Sequence, residues 1–269
     1  MPTIVVKRTG ERVPFDEQKL VRSLQRAGAG SAEIQRILSK TNKILYDGIT
    51  TKKIFEFVFK ELKQSNPAIS SKYNLKKAII NLGKSGFVFE KYIARLFEQQ
   101  GYKTRLNAIV KGKFVEHEID ISAQKNGESL MIECKHHTKP WLGCHIDVAL
   151  ATYARFLDVQ KNYTKPVLVT NTKFTTTVIK YAQGTGLGLI GWKYPATNSL
   201  EKQIEDNRTY PITVLNIPSQ AVNTCLKNNV LTVIDTARMN PEQLSHKTRI
   251  NKQTATNIIE QSRQLLNKK

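Results

Sequence analysis

His117-Glu118-Ile119-Asp120-Ile121-Ser122-Ala123-Gln124-Lys125-Asn126-Gly127-Glu128-Ser129-Leu130-Met131-Ile132-Glu133-Cys134-Lys135 is the stretch on which the rest of the chain turns. Asn126-Gly127 at its centre signals a two-residue hairpin, because both positions of such a turn must accept positive φ. If Lys125 pairs with Glu128, then Ala123 faces Leu130, Ile121 faces Ile132 and Ile119 faces Cys134, which gathers the apolar side chains on one face. On the other face Asp120 lies opposite Glu133, and Glu118 lies opposite Lys135. A slip of one residue would scatter both sets, so turn and pattern support one register. Two carboxylates ~4 Å apart repel by about 4 kcal/mol at an effective dielectric near 20, so a positive group is expected between them. Lys135 is one candidate and a hard divalent cation such as Mg or Mn is the other. Mg²⁺ takes one or two carboxylates and leaves its remaining positions to water and substrate phosphate. It lowers the pKa of bound water and stabilises charge on a scissile phosphate. Lys135 follows Glu133 by two residues and shares its face, where an ammonium would orient that water or neutralise the transition state.

Outward from the hairpin, apolar residues recur at helical spacing from Gly86 to Gln100, with Glu90 inside this helix and Gly101 as a stop. Residues 103–111 read as a strand. Residues 147–158 read as a helix with apolar Val148, Leu150, Ala151, Ala154 and Leu157, and with Arg155 on its polar side. A strand over 166–170, a helix over 175–183 and a strand over 187–192 complete the segment; Gly184, Gly186 and Gly188 precede a strand and read as a turn. Asp120 followed by Glu133-Cys134-Lys135 is similar to the PD-(D/E)xK nuclease active site, and Gly86-Phe87-Val88-Phe89-Glu90 resembles the first helix of its Mrr-type restriction endonuclease branch. That resemblance implies a restriction-endonuclease-like core: a mixed sheet flanked by helices, Asp120 and Glu133 holding metal, Lys135 as the catalytic lysine and Glu90 as an auxiliary carboxylate. Ile119 stands where the family has proline. His117 and Glu118 flank the site, and Glu118 is expected to pair with Lys135, with help in holding metal as the alternative. Lys173 and Gln183 are candidates for DNA contact or support of the site.

The first segment reads as two short strands and then helices. Asp16 is a plausible cap for the first helix, a second helix covers roughly 31–45, Thr50 or Thr51 caps a third, and a fourth runs from about Lys72 to Leu82. Lys7-Arg8-Thr9-Gly10, Phe15-Asp16, Lys19-Leu20 and Tyr46-Asp47-Gly48-Ile49-Thr50-Thr51 together resemble an ATP-cone, a small nucleotide-binding regulatory domain. The resemblance implies that Lys7 and Lys19 face nucleotide phosphates and that Thr51 lies near the nucleotide, with ATP or dATP as effector. Val13 departs from the polar residue that many cones carry, which leaves the choice of nucleotide open. Gly83-Lys84-Ser85 imitates the end of a P-loop, but Ala78 stands where the first glycine belongs and a helix precedes it, so a linker is expected.

The last segment reads as helical, with a start at Pro241-Glu242. Residues 244–255 resemble a helix-hairpin-helix DNA-binding unit, with Arg249 where that family often has glycine. Lys247, Arg249 and Lys252 would supply phosphate contacts; the rival reading is a dimerisation or packing element. The expected domains are thus 1–84, an ATP-cone; 85–218, a PD-(D/E)xK nuclease; and 219–269, a small helical unit.

Composition agrees with a polyanion partner. The 269 residues carry a net charge of +20, divided as +10, +5 and +5 over the three segments. Charge spread in this way suits a body that lies along nucleic acid. With 40% hydrophobic residues the chain can build packed cores, which excludes a disordered basic tail. Three cysteines without CxxC spacing argue against a disulfide framework and a structural zinc module. The expectation is a soluble, cytoplasmic protein with no membrane partner. Functionally it is a metal-dependent DNA endonuclease, acting as a homo-oligomer and regulated or assembled by nucleotide. A Holliday-junction-type nuclease and a non-catalytic, nucleotide-responsive DNA-binding protein are the alternatives.

Overall fold

A computed structural model describes residues 2–83 and 86–267, so the linker expected at Lys84 and Ser85 lies outside the described residues. Strands β1 (Ile4–Val6) and β2 (Arg12–Pro14) pair antiparallel, with Gly10 at φ 87° in the turn between them. Helix α1 (Glu17–Arg26) starts at Asp16, whose carboxylate accepts the Lys19 N–H at 3.1 Å. After α2 (Ser31–Ile44), strand β3 (Ile49–Thr50) pairs parallel with β1; a two-residue strand has no period to read. Helix α3 (Thr51–Ser65) is capped by Thr50. The single helix expected over 72–82 is instead two, α4 (Pro67–Tyr73) and α5 (Leu75–Ile80). Asn66 and Pro67 start the first, and Asn74 leaves helical geometry between them, as asparagine readily does.

The second body is built on α6 (Gly86–Gln99), β4 (Lys103–Lys111), β5 (Glu116–Lys125), β6 (Glu128–Lys135), β7 (Gly143–Cys144), α7 (Ile146–Val159), β8 (Lys165–Thr170), β9 (Lys173–Phe174), α8 (Thr176–Thr185) and β10 (Gly188–Ile190). Its main sheet has the order β10-β8-β6-β5-β4, parallel from β10 to β6 and antiparallel from there to β4. Asn126 and Gly127 take φ 48° and 83°, as the hairpin requires. Helices α9 (Leu200–Asp206), α10 (Ser219–Lys227), α11 (Val233–Ala237), α12 (Pro241–Thr248) and α13 (Lys252–Asn267) follow. Among the described residues no helix is long and apolar enough to cross a membrane.

Apolar side chains gather in the first body and on both faces of the main sheet. Val5, Leu24, Ile37, Val58 and Leu62 centre the first body. One face of the sheet packs Ile121, Ala123, Leu130 and Ile132 against Phe89 and Ile93 of α6, and the same cluster takes in Leu75 and Ile79 of α5 and Ile258 and Leu265 of α13. The opposite face packs against α7 and α8. Helix α7 corrects the sequence reading. Leu150, Ala151, Ala154 and Leu157, expected to be its apolar face, are exposed, while Ala149, Thr152 and Val159 are buried. The rotation brings Arg155, assigned to the polar side, inward onto the sheet.

Candidate active site

The β5–β6 ladder keeps the expected register from Lys125↔Glu128 to Ile121↔Ile132 and then stops. The next pair, Asp120 and Glu133, forms no backbone rung; instead the Asp120 carboxylate accepts the Cys134 N–H at 2.8 Å. Strand β6 goes on against β8, with Glu133 beside Leu168 and Lys135 beside Thr170. Across β5 the β4 ladder runs Leu106↔Ile121 and Ala108↔Ile119 and skips Asn107 and Asp120, where Asn107 takes φ 47°. This local break changes which face a side chain meets. Ile119, expected beside Ile121, packs with Met131, Val159 and Tyr163 on the other side of the sheet. The site therefore lies where the β5–β6 ladder ends.

Burial raises the pKa of Glu133 to about 7, with the Asp120 charge adding to the rise and the Arg155 guanidinium opposing it. Glu133 is about a fifth exposed, 22%, and Arg155 donates to it directly. Asp120 is also raised, first by burial, against the Cys134 N–H and the Arg155 charge that favour its carboxylate. Glu90 on α6 is raised by burial and then by Asp120, while the Asn107 amide favours its charged form. Glu90, Asp120 and Glu133 thus form one half-buried acidic group of mutually repelling members. The positive group expected among them is Arg155, which the sequence reading missed. Of the buried stripe only Ala149 and Thr152 fall inside the helix expected over 147–158, and both are less hydropathic than Leu150 and Leu157, so a reading by hydropathy picked the leucines instead.

Lys135 is exposed, and its ammonium makes no ion pair or hydrogen bond among the described residues. The expected Glu118–Lys135 pair is absent there as well; Glu118 accepts the Asn107 side-chain amide at 2.9 Å. His117 meets Asp158 at 2.8 Å and so ties β5 to α7. Among the described residues no three His, Cys, Asp or Glu side chains form a ready-made metal cluster. Two hard carboxylates close enough for one to raise the other's pKa still fit the donor set of an Mg²⁺ ion that fills its other positions with water and phosphate.

The remaining candidates lie apart from this group. Lys7 Nζ donates to Glu11 at 2.8 Å beside the first turn. Lys19 lies on the exposed side of α1, 3.6 Å from Asp16, and Thr51 opens α3. Lys173 is exposed on β9, and Gln183 is exposed on α8. Lys247, Arg249 and Lys252 are exposed around the α12–α13 turn, where Arg249 takes φ 63° and Lys252 pairs with Glu242 at 2.6 Å.

A mixed sheet with acids at the parting of two strands and a lysine one step beyond defines a restriction-endonuclease-like core. Sequence comparison agrees: residues 3–79 match the ATP cone domain family and residues 83–193 match the Mrr-type restriction endonuclease family. The chain thus carries an ATP cone domain followed by a restriction endonuclease domain of the Mrr type. An uncharacterized protein of Archaeoglobus fulgidus is 40% identical over 153 residues, which are 56% of this chain and 87% of that protein. The crystal structure of a protein of unknown function, AF1548, superposes with a TM-score of 0.60 at 35% identity, over 68% of this chain and 98% of that one.

Proposed function

We propose that the protein is a divalent-metal-dependent DNA endonuclease whose activity or assembly responds to ATP or dATP at the cone. The observation that carries this reading is the acidic group of Asp120 and Glu133 at the point where β5 leaves β6, with Lys135 two residues further along β6. Asp120 and Glu133 would hold Mg²⁺ or Mn²⁺. The ion, when bound, supplies a water of lowered pKa and a positive charge against the scissile phosphate. Cys134 N–H holds Asp120 in place, and Arg155 offsets part of the repulsion at Glu133. Lys135 carries an unpaired positive charge for the attacking water or the developing phosphorane, and Glu90 is an auxiliary carboxylate whose negative charge adds to the pull on a cation. In the division proposed, 1–84 is the regulatory cone, 85–218 the nuclease, and 219–269 a helical unit whose Lys247, Arg249 and Lys252 meet the DNA backbone, with Lys173 a further phosphate contact.

Cutting both strands of a duplex calls for two such sites, so the working species is proposed to be at least a dimer. The test is incubation of purified protein with supercoiled plasmid, linear duplex and a four-way junction, with Mg²⁺ or Mn²⁺ and with or without ATP. Cleavage that disappears in Asp120→Ala and Glu133→Ala supports the reading. Undiminished cleavage by both variants removes it, and salt-sensitive DNA binding with no cleavage of any substrate favours a binding protein instead.

A further inference from the structure

The strand that ends in Lys135 leads into a loop with both ends fixed. Thr170 Oγ1 donates to the Lys135 carbonyl at 2.8 Å. Two residues on, the buried Asn171 accepts the His137 N–H and donates to the His137 carbonyl, each at 2.8 Å. At the far end Gly143 and Cys144 pair with Lys173 and Phe174. Between these anchors a turn closes from Lys139 to Leu142 and carries Trp141, which is 40% exposed.

An exposed indole on a nuclease loop needs a reason, and its neighbours supply one. Trp141 lines a cavity of about 480 Å³ whose other walls, Lys7, Arg8, Gly10, Thr50 and Lys52, all come from the first body. Three cations on one wall suit a chain of phosphates. A flat aromatic ring on the other suits a planar base, since every base has a face that stacks. Among the walls of this cavity neither body alone offers both.

We infer that Trp141 of the nuclease segment completes the nucleotide site of the cone by stacking on the base of a bound nucleoside polyphosphate. Occupancy of the site then bears on the loop that begins at Lys135. This rests on the proposed reading of the cone as a nucleotide site and adds to it the residue through which the nuclease senses occupancy. Coupling of this kind is reciprocal: a ligand at the active site whose affinity the nucleotide changes alters nucleotide affinity by the same factor.

The chain has two tryptophans, Trp141 and Trp192, and Trp192 is buried. The experiment uses the full chain: intrinsic fluorescence during titration with ATP and with dATP, with calorimetry on the same samples. A saturable fluorescence change in the wild type that vanishes in Trp141→Phe supports the inference, as does a roughly tenfold weaker affinity in Trp141→Ala, with Trp141→Phe keeping most of it. Circular dichroism checks that the exposed substitutions leave the fold intact. Nucleotide binding by calorimetry with no fluorescence change and unaltered affinity in Trp141→Ala overturns the inference and leaves the cone reading standing. No binding by either method overturns both.

Discussion

The acidic group on the sheet and the cation-lined cavity of the cone are built on opposite principles. Asp120 and Glu133 sit on paired strands, half-buried, each fixed by a named donor, Cys134 N–H and Arg155. Lys7, Arg8 and Lys52 stand on a turn and a helix start, and the pairs of Lys7 with Glu11 and of Lys52 with Glu56 are solvent-exposed. Burial makes the first group sensitive to the removal of any one partner, because an uncompensated charge in low dielectric is costly. Exposure makes the second tolerant, since water replaces a lost partner at small cost. Chemistry that must move charge at a phosphate gains from the first kind of site; a sensor that must load and unload gains from the second.

The widest separation between the two regions is therefore expected in catalysis. Asp120→Ala or Glu133→Ala should lower Mg²⁺-dependent plasmid cleavage by at least about a thousandfold, equivalent to about 4 kcal/mol of barrier, with nucleotide affinity at the cone unchanged. Gel assays of nicked and linear product measure the first and calorimetry the second. A loss of nucleotide binding in these variants would erase the contrast.

How much of each region could be read in advance follows from the same difference. The hairpin register from Lys125 to Ile121 was legible because Asn126-Gly127 and the alternation of Ala123, Ile121, Leu130 and Ile132 are local signals that agree. The strand break at Asp120 was not, because it depends on Asn107, 13 positions away, adopting positive φ on the neighbouring strand. Arg155 escaped for a related reason: a helix with apolar residues on more than one side shows its buried face only when the sheet is present to choose it. In the cone the caps Asp16 and Thr50 were legible as local hydrogen-bond donors and acceptors in sequence, whereas the Asn74 break was hidden inside an apolar helical pattern. The proximity of Trp141 to Lys7 has no sequence signal at all, since it joins loops more than 130 positions apart.

Where the two bodies meet, Glu205 sharpens the comparison. Burial raises its pKa to about 7, Glu201 adds to the rise, and Lys72 and Arg26 of the first body oppose it. A carboxyl with a raised pKa in the folded state holds its proton more tightly there than in the unfolded chain. Its contribution is thus full below the ordinary carboxylate value and is lost as pH rises toward about 7. Glu205→Gln should flatten the fall in thermal stability between roughly pH 4.5 and pH 7, by about 3 kcal/mol at most and less after solvent screening. An unchanged pH profile of Tm would mean that the junction is as water-like as the surface of the cone. A smaller effect is expected at the loop anchor. Asn171→Ala leaves the His137 N–H and carbonyl unpaired, which should cost about 1–3 kcal/mol in urea unfolding. It should also weaken any influence of nucleotide on cleavage, because the loop between Lys135 and Trp141 loses its clamp.

The smallest effect, and the one that separates stability from function most cleanly, is expected at Arg249. Its φ of 63° is the left-handed conformation that costs an L-residue about 1–2 kcal/mol and glycine almost nothing. Glycine also enlarges the entropy of the unfolded chain by about 0.5–1 kcal/mol, so Arg249→Gly should change stability by less than about 1 kcal/mol, in the stabilising direction. We propose that an arginine at a position that geometry would give to glycine has its use in charge. If that use is a DNA phosphate, Arg249→Gly should weaken binding across sequences alike and reduce the slope of log affinity against log salt by about 0.9. Fluorescence anisotropy with a short duplex at several salt concentrations measures that slope. An unchanged slope would assign the α12–α13 turn to packing, its rival role, and would place the grip on DNA nearer to Lys173 and the sheet.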